Sequence, residues 1–231
     1  MNLKNAAPEK FGPVKTFFYR LCAEPSVEPI HRRIAAEVPV GVGSVLDLGC
    51  GAGKVARLIA SAHPGVRVVG IDSSEPMIRA ARKVSAPKVE FRLGRVERSA
   101  SPAVFDFALS VLSFHHWEEP AETLAGVHRA LAPGGRFWIY EMNPEAPANA
   151  IRADRAALWG FFRLPMGMQR RMARDHGFSA SEVDRVVRPV VFATPFQELK
   201  MTRTGSMIRM EMEKTPHPDP LPARGERGQS L

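Results

Sequence analysis

Three glycines at alternate positions, Gly49, Gly51 and Gly53, follow the apolar run Val45-Leu46-Asp47-Leu48, and Val55, Leu58, Ile59 and Ala62 continue at helical spacing. A strand that ends in such a loop and passes at once into a helix makes a ligand cradle. Glycine tolerates positive φ and lets backbone approach a ligand closely, while the first helical turn leaves N–H groups without partners of their own. The spacing discriminates between ligands. Lys54 stands where a G-x-G-x-x-G dinucleotide fingerprint needs its third glycine, and the G-x-x-x-x-G-K-[ST] phosphate loop is absent. Asp47 precedes the loop, and Asp72 ends a second strand-like run about 20 residues on, where a carboxylate can accept both hydroxyl hydrogens of a ribose. Asp72 has an alternative duty as a helix cap, which Ser73 and Ser74 can also perform. His115 and His116 follow another apolar run, and an imidazole with its ordinary pKa near 6.5 suits proton removal as well as plain hydrogen bonding.

The elements that must position these groups can be read from periodicity. Strand-like runs at 45–48, 66–71, 89–93, 105–111 and 136–141 alternate with helical spacing at 55–62, 77–81 and 124–131, and Pro133-Gly134-Gly135 turns the chain into the last of these strands. Such alternation requires crossovers, hence an α/β fold with a doubly wound, mostly parallel sheet of about seven strands. Beyond Glu141 a helical stretch from about 148 to 176 is expected, with Gly177 as its cap, then a short helix over 181–187. The alternating runs 196–203 and 207–212, joined at Thr204-Gly205, predict an antiparallel C-terminal hairpin. Two N-terminal helices are expected around Phe17, Phe18 and Leu21, and around Ile30, Ile34 and Val38.

The D-x-G-x-G-x-G arrangement of Asp47 to Gly53 resembles motif I of class I S-adenosylmethionine (SAM)-dependent methyltransferases, of the type 11 or UbiE-like group with a Rossmann-like sheet. The rest of residues 44–141 follows that family in order and spacing. The resemblance implies SAM as cofactor, held by Asp47, Gly49, Gly51, Gly53, Asp72, Ser73 and Met77. It also implies Arg95 and Val96 at the adenine, and Ser110 and Leu112 at the methionine amine. In Leu93-Gly94-Arg95-Val96-Glu97, however, Arg95 replaces the acid usual in the family; arginine has donors and no acceptor, so it can stack on the ring but cannot receive the adenine N–H, a task left to Glu97. His115 or His116 is implied to face the transferred methyl as a base, with Glu141 as a third candidate. Methyl transfer from a sulfonium is an in-line displacement governed by alignment, and no metal site is expected.

Composition bounds the rest. The 231 residues, 45% hydrophobic and 24% charged, suit one core of ordinary globular type, with no apolar run long enough to span a bilayer. Cys22 and Cys50 are too few for a disulfide framework, so a cytoplasmic location is expected. The net charge of +8 admits an anionic partner, but Arg163, Arg170, Arg171 and Arg174 alternate with Leu164, Met166, Met168 and Met172 as on a solvated helix face, so nucleic acid is not the expected partner. Residues 1–43 are read as N-terminal helices forming a substrate lid, 44–213 as the methyltransferase domain, and 214–231, rich in proline and glycine, as a disordered tail. Phe17, Phe18 and Tyr19, with Trp159, Phe161, Phe162, Met166 and Met168, are expected to line a pocket for a small lipophilic or aromatic methyl acceptor. A SAM-binding sensor without turnover, an RNA methyltransferase and an NAD-linked oxidoreductase are the alternatives; the oligomeric state is open.

Overall fold

The computed structural model describes residues 27–84, 86, 88–99, 103–154 and 166–215, together with residue 3. Five strands, β1 (Ser44–Leu48), β2 (Arg67–Asp72), β3 (Val89–Leu93), β4 (Phe105–Val111) and β5 (Leu131–Met142), run parallel, and β6 (Lys200–Thr204) with β7 (Met207–Glu213) closes the sheet as an antiparallel hairpin. Their order is β3-β2-β1-β4-β5-β7-β6, with β7 antiparallel to β5. β1 is flanked by β2 on one side and β4 on the other, so the chain reverses its winding direction there. In a doubly wound sheet that reversal opens a crevice at the strands' carboxyl ends.

The strands are apolar on both faces because helices cover both. Val45, Phe107 and Leu109 pack beneath α1 (Glu28–Ala36), α2 (Lys54–Ala62) and α3 (Glu75–Arg82). Leu46, Leu48 and Ala108 point the other way, into a cluster with the single turn α4 (Val96–Ser99) and α5 (Pro120–Ala130). The segment after β5 supplies α6 (Ala148–Asp154), α7 (Met166–Asp175) and a longer helix, α8, made of Ala180–Glu182, a π-turn at Val183–Val187 and Arg188–Phe192. Ser179 starts α8 with a reciprocal capping box to Glu182.

α1 is fastened to the far end of the chain. Glu37, just past α1, accepts from the Tyr140 hydroxyl (2.9 Å), the Thr204 hydroxyl (3.2 Å) and Arg209 (2.9 Å), while Arg33 pairs with Asp154 and donates to the Thr204 carbonyl (3.1 Å). Arg209 also lies over the Trp138 ring, 4.2 Å from its centroid. Within the N-terminal segment, residues 28–38 therefore belong to the sheet's own core.

Three expectations about element bounds change. β5 begins at Leu131 rather than at 136, because Leu131 pairs with Phe105 before Pro133-Gly134-Gly135 loops out and pairing resumes at Phe107 with Arg136. The expected strand over 196–203 reduces to Lys200–Thr204: Phe196 and Leu199 are buried as apolar plugs in the core instead of pairing with β7. The short helix over 181–187 extends to Phe192, with Pro189 at the start of its final segment, where a missing N–H costs little. Residues 17–19, 159 and 161–163 and the tail beyond 215 lie outside the described residues, as do the side chains of Met166 and Met168. Among the described residues no helix is long and apolar enough to cross a membrane.

Candidate functional site

The glycine loop is built by hydrogen bonds to its neighbouring strand. The N–H groups of Gly49 and Cys50 both donate to the Ile71 carbonyl (2.8 and 3.1 Å), and Gly51 N–H donates to Asp72 Oδ2 (2.8 Å). All three glycines are left-handed, at φ 67°, 53° and 80°. Two of them are also sterically obligatory: a Cβ on Gly49 would lie 1.9 Å from Ser113 Oγ, and one on Gly53 would lie 2.4 Å from the Phe91 ring. Gly51 differs. Among the described residues a Cβ there would meet nothing within 4 Å.

Asp72 holds the loop with one oxygen and caps with the other, accepting from Ser74 N–H (2.8 Å). Each carboxylate oxygen keeps a further lone pair, so this local work leaves acceptor capacity for ligand hydroxyls. Burial pushes the Asp72 carboxyl above its ordinary pKa, against the two backbone donors. Asp47 is pushed further, up to about 7, first by burial and then by the neighbouring Asp72 charge. Among the described residues its Oδ2 is buried with no partner, and so is the hydroxyl of Ser110. These two orphans stand on adjacent strands, Asp47 opposite Leu109 and Ser110 opposite Leu48, at the carboxyl edge of β1 and β4. Buried polar atoms without partners are uncommon in folded proteins because each costs free energy. Asp47 shares a sheet face with Leu109, and Ser110 shares the opposite one with Leu48. Asp47, two residues before the glycine loop, fits a ligand that brings a cationic donor, as the methionine amine of SAM would.

Leu112, just past β4, adopts φ 52° while its N–H donates to the Tyr140 carbonyl (2.9 Å). A non-glycine residue in this region carries backbone strain that such sites often hold. Met77 packs with Ala52 and Ala80 at the start of α3, Val96 is buried at the start of α4, and Ser73 is exposed beside them. Arg95 is exposed and ion-paired to Glu118. Glu97 turns towards α5, accepting from the Thr123 hydroxyl (2.7 Å).

The histidines form a second centre at the same edge. Ser113, which fills the space that the missing Gly49 side chain leaves, begins the turn Phe114–His116. His115 is buried, and its Nδ1 lies 2.8 Å from Glu141 Oε2 while its backbone N–H donates to Glu141 Oε1 (3.3 Å). The carboxylate, an acceptor, thereby favours the proton on Nδ1 and leaves Nε2 as the acceptor nitrogen, in hydrogen-bond contact with His176. That Nε2 lies 3.3 Å from Nδ1 of His176, and the His116 ring is 3.9 Å from the His115 ring, centroid to centroid.

Sequence reasoning did not single out His176. It directly follows α7, some sixty residues downstream, and Gly177 brings it in: Gly177 bridges to Met142, and Phe178 N–H donates to the Met142 carbonyl (3.0 Å). A Cβ on Gly177 would lie 2.1 Å from that carbonyl oxygen. Gly177, expected as a helix cap, is therefore required for close approach of α7 to the end of β5. That glycine beside a histidine was the available signal.

Residues 46–139 match a family model described as a methyltransferase domain. The match covers less than half of the chain. This span is a class I SAM-dependent methyltransferase domain, and SAM is the cofactor of its family. The chain is 32% identical over 130 residues to trans-aconitate 2-methyltransferase of Azoarcus sp., covering 55% of this chain and 51% of the relative. It is 29% identical over 174 residues to a ubiquinone biosynthesis O-methyltransferase of Thiobacillus denitrificans, covering 68% and 74%. Among the first curated relatives, the chain spans about half the length or less. In fold it is similar to a SAM-dependent methyltransferase of Aquifex aeolicus, with TM-score 0.61, 19% identity, and 89% of this chain and 100% of that one covered. The methyltransferase domain thus contains the glycine loop, Asp72, the orphaned Asp47 and Ser110 and the first two histidines, while His176 and Glu141 join it from outside the matched span.

Proposed function

We propose that the protein transfers a methyl group from SAM to a small acceptor, lipophilic or aromatic in character. The observation that carries this reading is the buried Asp47 Oδ2, without a partner among the described residues, at the end of the strand that enters the glycine loop, where Gly51 has no described atom within 4 Å of its Cβ position. In this reading Asp47, with main-chain groups at Ser110 and Leu112, receives the amino-acid end of SAM, the N–H groups opening α2 and the glycine loop lie along it, and Asp72 takes the ribose hydroxyls with its remaining lone pairs. Met77, Ser73 and Val96 border the adenine. Arg95, drawn to Glu118, leaves that ring without the family's usual acid. SAM supplies a methyl group on a positively charged sulfur, already activated for displacement.

The chain's own contribution is alignment and, for an oxygen or nitrogen acceptor, management of its proton. The histidine cluster backed by Glu141 is the place where that proton is lost. Relatives named for trans-aconitate and for ubiquinone biosynthesis support a small-molecule acceptor. The cytoplasm is the proposed location. The test is transfer of labelled methyl from SAM to a panel of phenols, enols, carboxylic acids, amines and thiols. The reading expects S-adenosylhomocysteine formed in step with at least one methylated small molecule. SAM binding with no transfer across the panel would favour a sensor, and steeply salt-dependent binding of RNA would favour an RNA substrate.

A further inference from the structure

We propose that His115, His116 and His176 form a binding site for one divalent transition-metal ion of the zinc class. The three offer nitrogen atoms that lie within 4.8 Å of one another. Zinc binds imidazole nitrogen at about 2.0–2.1 Å in tetrahedral geometry, which sets two ligand nitrogens about 3.3–3.4 Å apart. His115 Nε2 and His176 Nδ1 are already 3.3 Å apart. His116 is half-buried on the same short turn, and rotation of its side chain closes the remaining distance.

The groups behind the cluster complete the argument. Metal-bound histidines characteristically donate their other ring N–H to a carboxylate, which fixes the tautomer and makes the ligating nitrogen more basic. Glu141, wholly buried at the end of β5, does this to His115, 2.8 Å from Nδ1, and holds the same residue's backbone N–H with its second oxygen. Gly177 then has a purpose beyond packing, since it delivers the third ligand to the other two.

Three neutral nitrogen ligands leave a fourth position open, the arrangement of catalytic rather than structural zinc. Resting on the methyltransferase reading, that position takes an acceptor hydroxyl. Coordination lowers its pKa and the proton passes to solvent; the oxygen lone pair forms the new C–O bond as the C–S bond breaks, its electron pair staying on sulfur. The three histidines act here as ligands, and Glu141 as the positioning residue for one of them.

The experiment titrates Zn²⁺, and Co²⁺ as a visible probe, into chelator-stripped full-length protein, with metal content measured on the dialysed samples. The proposal expects one ion per chain, a tetrahedral Co²⁺ absorption spectrum, and affinity lowered by more than about tenfold in His116→Ala and His176→Ala. Glu141→Gln, which keeps shape and burial, should weaken binding by about 10–100-fold. His63→Ala and His128→Ala should bind as wild type does. Absence of stoichiometric binding, or binding indifferent to the three histidines, would overturn the site. SAM binding measured in the same samples separates the two ideas: an intact SAM titration without metal binding removes the metal site alone, and metal binding without SAM binding removes the methyltransferase reading alone.

Discussion

Asp47 combines two demands that work against each other, and replacing it by asparagine separates them. Its carboxyl, fully buried beside Asp72, is raised from 3.8 to about 7. Below pH about 4 it is protonated in both folded and unfolded chains. Between about 4 and 7 the folded chain keeps a proton that the unfolded chain has lost, so stability falls as pH rises through this window. Above about 7 the loss is complete. A shift of about three units corresponds to about 4 kcal/mol. Asp47→Asn keeps the shape and removes the ionisation. At pH 8 the unliganded variant should therefore be more stable than wild type by up to about 4 kcal/mol, an increase in Tm of roughly 10 °C for a domain of this size. SAM binding should move the other way, weakened at least about tenfold by loss of a charged hydrogen-bond partner for the amine. Thermal melts at pH 4 and pH 8, with calorimetric titration of SAM, read both. If the Asp47→Asn variant melts no higher than wild type at pH 8 and binds SAM equally well, Asp47 is neither destabilised by burial nor turned towards ligand, and the site argument fails.

Other outcomes follow from the same geometry. Gly51→Ala should cost stability only about 1–2 kcal/mol through its positive φ, yet abolish SAM binding because the new methyl enters the cradle, whereas Gly49→Ala, with its clash against Ser113, should impair folding itself. Equal effects of the two in melts would contradict the distinction. His31, buried and lowered to about 4, is neutral in the fold, so its contribution to stability is present above pH 6.5 and lost as pH falls towards 4; His31→Leu should flatten that acid limb of the melting profile, and an unchanged limb would refute the assignment. Arg95→Asp should alter stability by less than about 1 kcal/mol, since its pair with Glu118 is exposed, while tightening SAM binding severalfold by restoring an acceptor at the adenine. Unchanged affinity would show that residue 95 does not touch the ring.

Where the sequence was informative, the determinant was local. Gly49, Gly51 and Gly53 are needed by the turn they make themselves, and Asp72 follows at a distance set by one helix and one strand, so spacing alone located all four. The order of β1 to β5 was legible for the same reason. What escaped required contacts between distant segments. His176 joins His115 only because Gly177 meets the Met142 carbonyl, and no period in either stretch announces that bridge. Phe196 and Leu199 alternate like a strand but are used as core plugs, a choice made by the space between α5 and β7 rather than by their own pattern. Arg95 could be seen as a departure from the family but not as the partner of Glu118, twenty-three residues away. The absence of a metal site was expected because transfer from a sulfonium does not demand one; the three histidines raise the question from geometry instead.

The central claim is that the crevice beside Gly51 holds SAM, and calorimetric titration of the purified chain with S-adenosylhomocysteine tests it most directly. The account predicts saturable binding of one molecule per chain, weakened at least about tenfold in Asp47→Asn, whose fold its melting curve will show to be intact. A flat titration of the folded wild-type protein with both S-adenosylhomocysteine and SAM would contradict it.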